Sequence, residues 1–184
     1  MQRLGGEGLS PDRPPPIFGI AGYKDAGKTT LIVALVREFV ARGWRVGTIK
    51  HAHHAFDIDH PGKDSYLHRA AGATEVIVAS ARRVAHIREL DNVTQPALDE
   101  LVARMTGVDL VLVEGWKSGT HPRLELRRVG SPAPAIAGNA PGVLAIVSEA
   151  PLPGEVLPVL IRTDVAAIAD FILGAVGLPH RRIL

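Results

Sequence analysis

"GIAGYKDAGKTTLIVALV" (Gly19–Val36) decides the fold. Within it, "GYKDAGKT" satisfies G-x-x-x-x-G-K-[ST] at every fixed position: Gly22, Gly27, Lys28 and Thr29. The apolar run "PIFGIA" before it reads as a buried strand. "KTTLIVALVREFVARG" after it reads as a helix, with Leu31, Ile32, Leu35, Val36, Phe39 and Val40 on one face and Gly43 as a stop. Strand, loop and helix in that order form the context a phosphate-binding loop requires. The glycines let the backbone curl, so that successive N–H groups and a helix N-terminus face an anion. Lys28 is placed for the β- and γ-phosphates, and the Thr29 hydroxyl for Mg²⁺. The loop residues Gly22, Tyr23, Lys24, Asp25, Ala26, Gly27, Lys28, Thr29 and Thr30 are therefore expected to bind a nucleoside triphosphate. The loop itself does not choose guanine over adenine.

Outward from this loop, strand and helix patterns alternate. "WRVGTIK", "TEVIVAS", "RRVAHIR", "DLVLVEG", "GVLAIVS" and "LPVLIR" read as strands. "GKDSYLHRAAGA" reads as a short helix closed by Gly72 and capped by Asp64 or Ser65. "TQPALDELVARM" reads as a helix capped by Thr94 with Pro96 in its first turn, and "DVAAIADFILGAV" as one capped by Asp164. "RLELRRV" alternates and is expected on a sheet edge, where it is also a candidate dimer surface. The expected architecture is an α/β three-layer P-loop NTPase fold, a mostly parallel sheet with an antiparallel edge segment. The expected organisation is a flexible leader over 1–15, one nucleotide-binding domain over 16–176 and a tail over 177–184.

Two acids are candidates for Mg²⁺ and for catalysis. Glu114 ends the most apolar strand, where a carboxylate costs desolvation unless a cation or donor meets it. Asp59 opens Asp59-His60-Pro61-Gly62, the D-x-x-G form of nucleotide switches. Asp109, at the start of Glu114's strand, is expected to be structural. The expected metal set is thus Thr29, Asp59 and Glu114. Five of the eight histidines crowd one stretch: His51, His53, His54, His60 and His68. They fit metal ligation or contact with an anion, but "HAHH" is no helical i, i+4 pair.

Composition narrows the classes. The 184 residues are 46% hydrophobic, enough for a core. The formal net charge is +2, with 4% aromatics and no basic run interleaved with them, so nucleic acid is not expected as a partner. The absence of cysteine excludes disulfides and thiolate metal sites and suits a reducing cytoplasm. The start "MQRLGGEGLSPDRPPP" has no signal-peptide core, and no apolar run is long enough for a bilayer.

Taken together, "GYKDAGKTTL", "KHAHHAFDIDHPGKDSYLHRAAGA", "VLVEGWK" and "HPRLELRR" resemble the MobB family, accessory GTP-binding proteins of molybdopterin-guanine dinucleotide biosynthesis. The middle segment, Lys50 to Ala73, is the most specific. The resemblance implies GTP with Mg²⁺, hydrolysis that is slow at most, a homodimer, and partnership with a MobA-like molybdenum cofactor guanylyltransferase, with molybdopterin as a further candidate ligand. It places Asp59, Gly62 and Lys63 on a switch-like motif and Glu114, Gly115 and Lys117 on the acid-bearing strand end. It places His51, His54 and His68 on a histidine-bearing stretch, and Arg123 on the strand after the acid. Lys24 and Asp25 depart from the small residues usual in the loop. Ser148 and Glu149 stand where an Asp is more usual, and Glu149 could accept from guanine N1 and N2. Two alternatives compete: a metallochaperone GTPase using the histidines, for example for nickel insertion, and a small-molecule P-loop kinase.

Overall fold

The computed structural model describes residues 14–52, 56–90, 95–116, 119–131, 133–137 and 140–180. Its backbone contacts divide the chain into two compact units. One is built from the segments before 52 and from 99 onward, and the other is the continuous segment Ala52–Leu98.

The larger unit holds a six-stranded sheet. Its strands are β1 (Ile17–Ala21), β2 (Val46–Lys50), β5 (Leu110–Glu114), β6 (Arg123–Leu126), β7 (Val143–Ser148) and β8 (Val159–Ile161). The order is β2-β5-β1-β6-β7-β8, and every pairing is parallel. The α/β architecture with a mostly parallel sheet is as expected, with one difference. The antiparallel element does not edge this sheet but forms its own two-stranded sheet in the smaller unit.

"RLELRRV" is also not an edge. Its strand β6 lies between β1 and β7, and all four residues are buried. Its alternation of charge and leucine imitates a half-solvated strand. Leu124 and Leu126 face the core, while Arg123 and Glu125 are held by loop partners that no local pattern reveals.

Helices α1 (Lys28–Ala41) and α4 (Val165–Ala175) cover one sheet face. Leu31, Ile32, Leu35 and Phe39 of α1 are buried against Phe18, Ile20, Leu110 and Leu112. Val40 departs from the expected stripe and is 58% exposed, because helix periodicity carries it beyond the arc formed by Leu31, Leu35, Phe39 and Ile32. Ile168, Ile172 and Leu173 of α4 are fully buried, each contributing roughly 1.5–3 kcal/mol of transfer free energy. Asp164 caps α4, its side chain accepting from Ala167 N at 3.0 Å. Arg42 ties the helices together through Glu38 at 2.8 Å and Asp170. The third helix, α3 (Leu98–Ala103), starts later than expected and leaves Pro96 outside it; Thr94 lies outside the described residues.

The smaller unit contains α2 (Asp64–Ala70) and the antiparallel strands β3 (Glu75–Ala79) and β4 (Val84–Arg88). Lys63 occupies the N-cap of α2 without a side-chain cap, and Asp64 lies in the first turn, where its charge suits the helix dipole. Gly72 (φ 103°) follows the C-terminal cap as expected.

Candidate functional site

The phosphate loop joins β1 to α1 at the carboxyl end of the sheet. Strands lie on both sides of β1, and this is the place where open α/β sheets bind ligands. Lys28 Nζ donates to the carbonyls of Gly22 at 2.9 Å and Tyr23 at 2.8 Å, so the loop curls around its own lysine. Gly27 is the N-cap of α1 at φ 91°, and a Cβ there would collide with the Arg162 guanidinium. Asp25 adopts φ 60°, a left-handed conformation that glycine takes without strain. Asp tolerates it better than most side chains. Lys24 and Thr30 are exposed beside it, and Ala26 is buried.

Glu114 reaches this loop through strand register. β5 pairs with β1 so that Glu114 stands beside Ile20, one residue from the end of β1. The Thr29 hydroxyl donates to Glu114 Oε1 at 2.9 Å, and Lys50 Nζ lies 3.4 Å from the same oxygen. Glu114 is thus not turned to solvent; its residue is 9% exposed. A hydroxyl and a carboxylate at a helix N-terminus are hard oxygen donors of the kind Mg²⁺ takes, so Thr29 and Glu114 fit that ion. Lys50 was not expected here. It is visible in retrospect as the cation closing β2, the strand paired with β5, at the position opposite Glu114. Asp109, at the other end of β5, accepts from Arg45 N at 2.9 Å and from its guanidinium at 2.7 Å, a structural role as expected.

In the smaller unit, Asp59 is engaged from several sides. Ser65 Oγ and the His60 amide each donate to Oδ1 at 2.9 Å, and Arg69 lies 3.4 Å from Oδ2. Arg69 also pairs with Asp57 at 2.9 Å and Glu89 at 2.7 Å. Its guanidinium holds Asp57 below the usual carboxylate range. Gly62 turns at φ 85°, and Gly62 and Lys63 are exposed. Of the histidines, His51 belongs to the larger unit and packs on Trp116 at 5.3 Å, whereas His60 and His68 are exposed in the smaller one. His53, His54 and Lys117 lie outside the described residues. Among the described residues, no group of three or more His, Asp or Glu could hold a metal ion.

With this geometry in place, comparison with known proteins decides the family. The sequence model for MobB, molybdopterin guanine dinucleotide synthesis protein B, matches residues 17–149. This chain belongs to the MobB family. The molybdopterin-guanine dinucleotide biosynthesis adapter protein of Escherichia coli (strain K12) is 40% identical over 167 residues, 86% of this chain and 91% of the relative. That of Haemophilus influenzae (strain ATCC 51907 / DSM 11121 / KW20 / Rd) is 40% identical over 162 residues, 85% and 87%. A crystal structure of molybdopterin-guanine biosynthesis protein B (mobB) superposes at TM-score 0.69 and 30% identity, covering 88% of this chain and 99% of that one. These MobB relatives do not favour the metallochaperone or kinase alternatives.

The MobB-family site has supports that its motifs do not contain. Arg162, just after β8, donates to the carbonyls of Ala26 at 3.3 Å and Gly27 at 3.4 Å and pairs with Glu149 at 3.2 Å. Glu149 also accepts from Val129 N at 3.2 Å, and these contacts hold it below the usual carboxylate range. The end of β7, the end of β8 and the phosphate loop are therefore one bonded assembly. Only an arginine closing "LPVLIR" hinted at this in the sequence.

The buried Arg123 supports the loop after Glu114. It donates to carbonyls of Trp116 at 3.3 Å, His121 at 3.3 Å and Gly119. His121 packs against Gly19 of β1, and burial, with the charge of Arg123, pushes its pKa down to about 4. No described helix is long and apolar enough to cross a membrane.

Proposed function

We propose that this protein is a GTP-binding adapter of molybdopterin-guanine dinucleotide biosynthesis, holding GTP with Mg²⁺ beside a guanylyltransferase partner. The observation that carries the reading is the junction of Lys28, Thr29 and Glu114 at the phosphate loop of a MobB-family chain. In this reading the loop amides and Lys28 hold the phosphates, and Thr29 and Glu114 hold Mg²⁺. Glu149, fixed by Arg162 beside the loop, is the acceptor offered to guanine N1 and N2. The remaining expected nucleotide contacts are Asp59, Gly62 and Lys63 of the switch-like motif and Lys117 after the acid-bearing strand end. Hydrolysis is slow, on the order of 10⁻⁴ to 10⁻² per second, the range of GTPases lacking a supplied arginine.

The adapter works as a homodimer in the cytoplasm. Support for the dimer comes from the smaller unit, where Ile77 and Val84 share one face of the hairpin and are 63% and 67% exposed. The deciding experiment is a titration of nucleotide-free protein with GTP and ATP, with and without Mg²⁺. A Mg²⁺-dependent preference for GTP is expected; a preference for ATP overturns the guanine assignment. Affinity capture of the transferase tests the partner.

A further inference from the structure

One cation at the carboxyl edge of the sheet has no part in the contacts assigned to the nucleotide. Lys50 closes β2, and the parallel register sets it opposite Glu114. The ladder runs one step further, with His51 N donating to Glu114 O at 2.9 Å, so the Lys50 backbone is held in place. Its side chain is not held in the same way. It is 64% exposed, and Nζ lies 3.4 Å from Glu114 Oε1. A charge-assisted hydrogen bond measures about 2.7–2.9 Å, so this pair is loose. A loose pair to an exposed ammonium is weak and readily exchanged.

The oxygen that Lys50 approaches is shared. Thr29 Oγ1 donates to the same atom at 2.9 Å, so the ammonium and the hydroxyl are neighbours across one carboxylate oxygen. Sheet order then gives a direction. Glu149 and Arg162 follow β7 and β8 on one side of β1, whereas Glu114 and Lys50 close β5 and β2 on the other. A nucleotide with its base at Glu149 and its ion at Thr29 and Glu114 lies across the strand ends and points its phosphate chain toward Lys50. Lys28 sits inside the loop, on the carbonyls of Gly22 and Tyr23, and Lys50 stands beyond it along the sheet edge.

Electrostatics favours an exchange at that edge. Thr29 and Glu114 offer hard oxygens to Mg²⁺, and an ammonium on Glu114 Oε1 opposes a divalent cation on the same carboxylate. The long, flexible stem of a lysine lets its ammonium turn to a more highly charged anion nearby, and a terminal phosphate is such an anion.

We propose that Lys50 recognises the terminal phosphate of the nucleotide: its ammonium leaves Glu114 for a γ-phosphate oxygen, and the chain thereby distinguishes a triphosphate from a diphosphate. Lys28 serves the β- and γ-phosphates together, so the distinction falls to Lys50. The inference rests on the reading that the loop holds a triphosphate with Mg²⁺ at Thr29 and Glu114.

The test is calorimetric titration of the nucleotide-free full chain with GTP and GDP in Mg²⁺, for wild type, Lys50→Met and Lys50→Arg. Methionine keeps an unbranched stem without the charge. The position is exposed, and circular dichroism checks that both variants fold. The readout is the ratio of GDP Kd to GTP Kd, because a lysine that only steadied β2 would change both affinities alike. In Lys50→Met the ratio should fall by about tenfold or more, and Lys50→Arg should recover part of it. A wild-type ratio in Lys50→Met would overturn the proposal, even if both affinities dropped. The Mg²⁺ dependence of GDP binding tests the exchange itself. With GDP the ammonium stays on Glu114 and competes with the ion, so Lys50→Met should lower the half-saturating Mg²⁺ by about threefold. A value that stays or rises would overturn the exchange. ATP and ADP give the same ratio if adenine is the preferred base, so a wrong base assignment leaves the Lys50 result standing. Wild type that binds no triphosphate would overturn the nucleotide reading and this inference together, whereas an unmoved ratio in a chain that binds one overturns this inference alone.

Discussion

Thr29 and Glu114, 85 positions apart in sequence, are joined by a 2.9 Å hydrogen bond from the threonine hydroxyl to Oε1. The parallel register of β5 on β1 creates that meeting, because it sets Glu114 beside Ile20 at the mouth of the loop. Glu114→Gln keeps an acceptor for Thr29 and removes the charge. The ratio of GTP Kd without Mg²⁺ to that with it should fall toward one in this variant. An unchanged ratio would remove Glu114 from the ion site.

Lys28→Ala should lose most triphosphate affinity. A charge-assisted hydrogen bond contributes roughly 1.5–3 kcal/mol, so Kd should rise by about ten- to a hundredfold. Fluorescent-nucleotide titration measures it, and wild-type affinity in the variant would show that the triphosphate sits elsewhere.

Arg162→Ala should loosen the loop without touching its motif. The carbonyls of Ala26 and Gly27 lose a donor and Glu149 loses its counter-charge. The bonds are long, so an effect of about 1 kcal/mol, roughly fivefold in GTP Kd, is expected. Arg162→Lys should recover part of it. Equal affinity in all three proteins would mean that the arginine only decorates the loop.

His121 should make stability depend on pH. Its folded pKa, about 4, lies below the ordinary histidine value of 6.5. Between those values the unfolded chain binds the proton more readily, so stability falls as pH drops from 6.5 toward 4. Glu125 adds to this at lower pH. Burial opposes its ionisation, but Arg127 and the Ala137 and Ile136 amides outweigh burial and depress its pKa. Its contribution is present above the unfolded carboxylate range and lost as pH falls through the folded value. The decline in melting temperature from pH 7 to pH 5 should shrink in His121→Asn. A decline as steep as in wild type would assign it to other groups.

Ile77→Lys with Val84→Lys should convert a dimer to a monomer, because the two side chains share one hairpin face. Sedimentation velocity reads the outcome directly. A doubly substituted protein that still sediments as a dimer would move the interface off this hairpin.

The parts of the site legible in the sequence were those with short-range rules. The phosphate loop follows a fixed spacing, and Glu114 stands out as an acid ending an apolar strand. Arg162 was not legible, because its contacts to Ala26 and Gly27 span more than a hundred positions and depend on where β8 stops. The same reason explains β6. Arg123 and Glu125 look like solvent-facing residues until the carbonyls of the loop after Glu114 and the amide of Ala137 are brought to them. Lys50 was hidden only by register, since its own strand pattern is ordinary.

Ala52–Leu98 is one uninterrupted stretch, and no strand of the six-stranded sheet comes from it. It behaves as a cassette spliced between β2 and α3. The register that carries Glu114 to Thr29 is set entirely by strands outside it. The Thr29–Glu114 pair and the exposed hairpin face can therefore be altered one at a time, each serving as the control for the other.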